Sequence, residues 1–496
     1  MLSKISYNRS KCYMLATCIF YVCIMQGLFL RPLAGPDCYN AIMDPDAYYK
    51  AALYGSGRFV HAFYFWIIAS IGRLISVQAA YYGSFMLNGF FLVLSLYRYS
   101  TVAIEMLQIR IDDIKSVVPL SVLSCITIVN IFICEYFLYP ESMFIFVTWL
   151  NVEAVVLYWR MIDRKNKYLN IAIIGLLALS GFGYQIIPAV YLVLTLPMVL
   201  VKSDTIKLFV SNQVMTGLHY IAGVLPGSVF AKLIVRSPRG EFRPESIFDT
   251  VSINKPQDAD VRTYVFDRIT SGMWVYVVVC LIIAVLLLIA AFRGKEYIEI
   301  VKGMYIVLVT VFMGILPFII GVTSDYRPRI YYVIGTLFGT LTLYGLLKGY
   351  LTIGKEVAYI ICECAAIIMI FVQFANFGDI ARERYITNYE DRYISCMIGR
   401  EIDKYENESG ESISKVVFYQ DSHRTKYISE KGWCLSMRAY GVDWGNSSAL
   451  NYYLGRNYQI GKMDEDVAMK FALEDWSSFS EDQIVFKGDT AHICRY

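Results

Sequence analysis

Charge is what this sequence has least of. Only 18% of its 496 residues are Asp, Glu, Lys or Arg, while 57% are hydrophobic and mean hydropathy is +0.47. Soluble domains carry about 25% charged residues, so the composition is that of a polytopic α-helical membrane protein. A net charge of +3, without a basic run or an aromatic-basic platform, sets nucleic-acid binding aside. Histidine is scarce, four in all, and His61 has no second His or Cys placed to complete a metal site, which leaves it a structural or interfacial role. No G-x-S-x-G, P-loop or H-E-x-x-H occurs, which excludes the common serine hydrolases, NTPases and zincins. No convincing internal repeat argues for a paired-repeat transporter.

The twelve cysteines form no metal pattern. Cys12, Cys18, Cys23, Cys125, Cys134, Cys280, Cys362 and Cys364 lie in apolar segments as small hydrophobes, and Cys362-Glu-Cys364 has no second ligand pair. Cys434 and Cys494 are candidates for a disulfide if the C-terminal region faces an oxidising compartment. Lys4, Arg9 and Lys11 precede an apolar run from Cys12 to Leu30 with no clean small-x-small cleavage site, and we read it as a retained anchor.

Spans are expected at about 12–30, 79–97, 117–138, 142–159, 168–182, 186–201, 208–230, 273–292, 297–321, 330–347 and 356–375. The stretch 59–76, with about a dozen apolar residues bracketed by Arg58, His61 and Arg73, is expected to lie in the interface. With that choice the N-terminus and the loops on its side hold 17 Lys+Arg against 8 Asp+Glu, and the opposite loops 12 against 11. The cationic side is cytoplasmic by the positive-inside rule. The outer face then carries 31–58, 140–141, 181–187, 232–272, 323–329 and the C-terminal region. Residues 376–496 hold 15 Lys+Arg and 20 Asp+Glu with no span, and divide the chain into a transmembrane domain, 1–375, and a soluble extracytoplasmic α/β domain, 376–496. Within the latter, 388–405, 444–454 and 463–475 read as helices, and 415–420 and 483–488 as strands.

Four outer motifs carry chemistry. "MDPDAYYK" sets Asp44 and Asp46 around a proline, either as an Asp-Pro turn or as a general base for a hydroxyl, with Lys50 close behind. Arg58, in "GSGR", suits either a phosphate or a lipid headgroup. "TSDYRPR" places Arg327 and Arg329 at the mouth of a span, as an anion site or as headgroup anchors. "GYQ" offers Tyr184 and Gln185 at a helix break, for a sugar or for backbone repair. The sequons at Asn8, Asn407 and Asn446 are short enough to arise by chance.

The acidic motif after the first span, the "GR" leading into an apolar stretch, the mid-chain "YQ", the Arg-Pro-Arg mouth and the outer α/β tail together resemble the bacterial O-antigen glucosyltransferases of the serotype-converting type, in the GT-C class of membrane glycosyltransferases. The tail segments "NYEDR", "KVVFYQ" and "QIVFKG" are also similar to that family. Family members carry adjacent acidic residues, an arginine and then "GR"; here the pair is split by Pro45, Lys50 stands where the arginine would, and the spacing is shorter. Which aspartate is the base stays open.

The resemblance implies a GT-C-like fold of about eleven transmembrane helices in the bacterial plasma membrane. It implies inverting transfer of a sugar, glucose in that family, from a polyprenyl-phosphate donor to a lipid-linked or cell-surface glycan. Asp44 or Asp46 would be the base, Arg58, Arg327, Arg329 and Lys50 would bind the donor phosphate, and Tyr184 and Gln185 the sugar. No cofactor is required, no metal site is expected, and the two carboxylates leave room for a divalent cation. Membrane lipids, a donor synthase and a flippase are the expected partners. The alternatives are another GT-C sugar transferase, a polysaccharide polymerase or a lipid or glycan transporter.

Overall fold

The computed structural model describes residues 2–28, 34–106, 114–133, 143–162, 166–184, 187–236, 296–320, 328–353, 355–420, 438–476 and 478–495, with short runs at 136–141 and 278–293. The chain is mostly helical. Helices α1 (Leu2–Leu28), α2 (Pro36–Met43), α3 (Pro45–Ser56), α4 (Phe59–Arg73), α5 (Val77–Met106), α6 (Ile114–Ile128), α7 (Phe144–Ile162), α8 (Lys167–Gly183), α9 (Ala189–Lys202), α10 (Ile206–Val229), α11 (Tyr297–Ile320), α12 (Pro328–Ile353) and α13 (Lys355–Ser409) follow one another. Among the described residues, four helical stretches are long and apolar enough to cross a membrane: Val77–Met106, Phe144–Ile162, Ile206–Ile234 and Glu363–Ser409. Apolar side chains point outward as well as inward: Phe90, Ile171, Leu218, Ile221 and Leu225 are all exposed. Water penalises such faces, whereas lipid does not.

Close approach of α8 and α10 depends on glycine. A Cβ at Gly223 would meet Leu177 Cβ at 2.3 Å, and one at Gly227 would lie 2.9 Å from the Gly181 backbone. Gly223 and Gly227 are four residues apart on α10, the spacing by which membrane helices bring their backbones together. Between α5 and α7 the fastening is polar: Arg98 donates Nε and Nη2 to the two carboxylate oxygens of Glu153, each at 2.8 Å. Asn130 ends the first part of the expected span 117–138. Its side chain accepts from Phe132 N at 3.1 Å and donates to Thr336 on α12 at 3.0 Å, so the helix gives way at Ile128 to a 3-10 turn over Ile131–Ile133.

Two other expectations are corrected. The segment 31–58, expected as a loop, contains α2 and α3; Pro36 and Pro45 each stand at a helix start, where a missing N–H is harmless. The division at 375/376 falls inside α13, which runs unbroken for 55 residues, roughly 80 Å. No proline interrupts it, and its distal Ile394, Ile398 and Ile402 belong to the core of the C-terminal α/β layer.

That layer is a four-stranded sheet of order β2-β1-β4-β3, with β1 (Lys415–Gln420), β2 (Gln459–Ile460), β3 (Ile484–Lys487) and β4 (Thr490–Arg495). β1 is parallel to both β2 and β4, and β3 is antiparallel to β4. Helices α14 (Asn446–Leu454) and α15 (Glu465–Ala472) complete it. Both expected strands and all three expected helices are present. β4 escaped the sequence reading because "TAHICR" mixes polar and apolar residues; five of its six residues are buried by β1 and β3.

Substituting Gly227 by Leu should lower the thermal midpoint of the detergent-solubilised protein, at a cost of about 1–3 kcal/mol for overpacking. An unchanged midpoint would mean that α8 and α10 do not pack in this register.

Candidate functional site

The acidic motif is built into a helical hairpin, α3 and α4, closed by Gly57. This residue has φ +64°, and a Cβ here would lie 2.5 Å from Ala231 Cβ, so both conformation and space demand glycine. Asp44 is the N-cap of α3: its carboxylate accepts from Ala47 N at 3.0 Å, the Asp-Pro turn chemistry that its sequence allows. Asp46, in the first turn and exposed, accepts from Trp66 Nε1 at 2.5 Å across the hairpin.

Around that contact Trp66 stacks on Phe63 with ring centroids 6.0 Å apart, and Tyr49 leans on both, at 6.3 Å from Phe63 and 6.4 Å from Trp66. Phe63 remains 48% exposed. Lys50, also exposed, stands one turn from Asp46 on the same helix face, since i and i+4 are neighbours. The result is a carboxylate, an ammonium and open aromatic faces on one surface.

Arg58 lies elsewhere. Ser56 is ten helical positions beyond Asp46, so Arg58 starts roughly 15 Å along the axis from the carboxylate. Its guanidinium sits over the ring of Tyr184, 4.2 Å from the centroid, and His61 Nδ1 donates to the carbonyl oxygen of Gly183 at 2.7 Å. The structure thus brings together Arg58 with Tyr184, and sets Asp46 and Lys50 on one helix face with Asp44 capping the helix start, but it does not bring the two groups together. Gln185 and Arg327 lie outside the described residues, as do Cys434 and most of 232–272; Arg329 lies in the first turn of α12 and its side chain is likewise outside them. Among the described residues no three His, Cys, Asp or Glu side chains converge as a metal site requires.

No family model, curated protein or solved structure matches the chain. The site therefore rests on its own geometry.

A second polar cluster was not anticipated. Arg384, fully buried, donates to the Ala34 carbonyl at 2.6 Å, and Asn388 donates to the same oxygen at 2.8 Å. Tyr39 meets Tyr453 hydroxyl to hydroxyl at 2.5 Å, and buried Asp391 accepts from Ala439 N at 3.0 Å. Buried Glu141 lies close to the Cys38 thiol, whose pKa is raised by burial first and then by that carboxylate. One signal was legible: Arg384, Asn388 and Asp391 follow i, i+4, i+7, a polar stripe on one face of a helix. Glu141, from a distant loop, has no such pattern to betray it.

Burial raises the Asp391 carboxyl from 3.8 to about 6, against lowering by the Ala439 N–H and by Arg438. The folded state therefore holds this proton more tightly than the unfolded state does. Its favourable contribution is complete below 3.8 and is lost as pH climbs through about 6. Stability of the full chain should fall across that window, and Asp391→Asn should flatten the slope. Parallel pH profiles of thermal unfolding for the two proteins would contradict the assignment.

Proposed function

We propose that the chain is an inverting membrane glycosyltransferase, moving a sugar, glucose by resemblance, from a polyprenyl-phosphate carrier to a lipid-linked or cell-surface polysaccharide. It would act at the outer face of the bacterial plasma membrane, in a GT-C-like frame of about eleven spans. The observation that carries this reading is the surface of the α3–α4 hairpin, where Asp46 stands beside Lys50 and the Tyr49–Phe63–Trp66 rings. Aromatic faces pack on the apolar side of a pyranose, and a carboxylate at their edge can accept a hydroxyl proton.

The acceptor hydroxyl oxygen attacks C1 of the donor sugar as its proton passes to Asp46, while the C1–O bond breaks and polyprenyl phosphate leaves with the electron pair. Trp66 Nε1 orients the carboxylate. Lys50, one turn away, offsets charge growing on the phosphate. Of the two aspartates Asp46 is the better base, because Asp44 is committed to the helix start. Arg58 and Tyr184 are too far from Asp46 to share its phosphate in this arrangement, and fit the carrier or the far side of the sugar. Arg327, Arg329 and Gln185 keep the phosphate and sugar roles that the resemblance gives them.

A transporter is the second reading, favoured by the Arg98–Glu153 pair that joins α5 to α7, since paired ionisable groups between apolar helices commonly mark a pathway. Flux into vesicles without a sugar-transfer product would support it.

Purified protein in detergent, given radiolabelled polyprenyl-phosphate-glucose and a lipid-linked glycan extract, should form labelled product. Asp46→Asn should reduce the rate roughly 100-fold or more. Asp44→Ala should instead cost about 1 kcal/mol of stability as a lost cap, with transfer retained. Full activity in Asp46→Asn removes Asp46 as the base.

A further inference from the structure

The two faces of the C-terminal sheet are covered differently. α13 packs Ile394, Ile398 and Ile402 against one face, while the other, carrying Val417, Tyr419, His492 and Cys494, is covered by α15 through Val467 and Phe471. α15 has only eight residues, too few to hold a helix alone, so its place depends on what ties it to the sheet. The apolar tie is Phe471, whose ring centroid lies 5.5 Å from Tyr419 and 5.9 Å from Trp476.

The polar tie is a chain of hydrogen bonds at the entrance to the helix. Asp464, the N-cap, donates its backbone N–H to the Tyr419 hydroxyl oxygen at 2.8 Å, and that hydroxyl lies 2.8 Å from His492 Nδ1. The Asp464 carboxylate accepts from Val467 N at 3.1 Å and from Lys487 Nζ at 2.6 Å. Tyr419 and His492 are each 4% exposed.

The proton order follows from counting donors. A phenol has one hydrogen and its oxygen already accepts from Asp464, so Tyr419 donates to His492 Nδ1 and the imidazole proton sits on Nε2. A second imidazole proton would enter at Nδ1 and set two donors against each other. Either the Tyr419 O–H or the Asp464 N–H is then left without an acceptor, which is costly for a buried group. Burial lowers the imidazole from its usual 6.5; of the charged groups facing it from neighbouring elements, Asp464 before α15 opposes that shift and Lys487 of β3 adds to it. Tyr419 on β1 and Cys494 on β4 are the uncharged titratable groups of the same face. The favourable contribution of the neutral imidazole is therefore complete above 6.5 and is lost as pH falls through the lower folded value. Asp464 is held below the usual carboxylate range by Lys487 first and by the Val467 N–H second, so the cap itself stays ionised through that window.

We propose that the Asp464–Tyr419–His492 chain is a pH-sensitive latch, which fastens α15 to the sheet while His492 Nδ1 accepts and releases it when that nitrogen is protonated. Release uncovers Val417, Phe471 and Cys494, which α15 otherwise keeps buried or covered. The latch does not depend on the transferase reading.

The experiment is hydrogen exchange read by mass spectrometry on the full-length protein in detergent, at about pH 7.5 and about pH 5, with protection corrected for the intrinsic pH dependence of exchange. Protection across 463–473 should drop about tenfold at the lower pH, while that of α14 stays unchanged. Asp391 acts in the opposite sense, since its protonation favours the folded state, so a global effect through it would raise protection near pH 5. His492→Gln, whose side-chain carbonyl can accept from Tyr419 without titrating, should remain protected at both values. Tyr419→Phe, which removes the phenol O–H and frees the Asp464 N–H, should be poorly protected at both. Equal wild-type protection of 463–473 at the two values, or a wild-type pH response persisting in either variant, would overturn the latch.

Discussion

A buried guanidinium organises this protein. Arg384 has no exposed surface, and an ion so placed is tolerable only where polar groups replace water. The Ala34 carbonyl does so directly, and Asn388, one turn on, holds that oxygen from the other side. Because Ala34 stands just before α2, this contact sets where the whole α2–α3–α4 segment begins. Trp444 then fastens the outer side of α2: its indole N–H donates to Asp37 at 2.8 Å, and its carbonyl accepts from Asn40. The hairpin with Asp46 thus takes its place from contacts made by α13 and the C-terminal layer.

The same constraint explains why α13 is continuous. A carrier helix that ended with its apolar part would leave Arg384, Asn388 and Asp391 on a separate element, free to shift. Instead Gln373, lower on the same helix, is hydrogen-bonded to Tyr21 of α1 and to the Val129 carbonyl after α6. One helix therefore contacts the apolar bundle, the segment before α2 and the sheet in succession.

Much of this was legible in the sequence, and the failures have physical causes. Apolar runs marked helices well, because composition alone sets which segments tolerate lipid. The strands "KVVFYQ" and "QIVFKG" were visible through their β-branched and aromatic residues, and the helices of the tail through their period. The 31–58 segment read as loop because its prolines and glycines look like punctuation, although Pro36 and Pro45 begin helices and Gly57 joins two of them. The separation of Asp46 from Arg58 was hidden for a related reason. Twelve residues of extended chain can fold back on themselves, whereas the same residues in a helix hold their ends apart. Glu141 near Cys38 leaves no local signature, since it depends on segments brought together only by the fold.

The length of α13 has a mechanical consequence. An 80 Å rod works as a lever: tilting it by about 10° at its apolar end would sweep the far end through roughly 14 Å. The sheet rides on that far end, while α2 is clamped between the rod and Trp444. A small reorientation among the apolar helices would therefore displace the C-terminal layer by about that distance, and would carry the start of the α3–α4 hairpin with it. The molecule holds the hairpin and the sheet on one arm, so that neither can move far without the other.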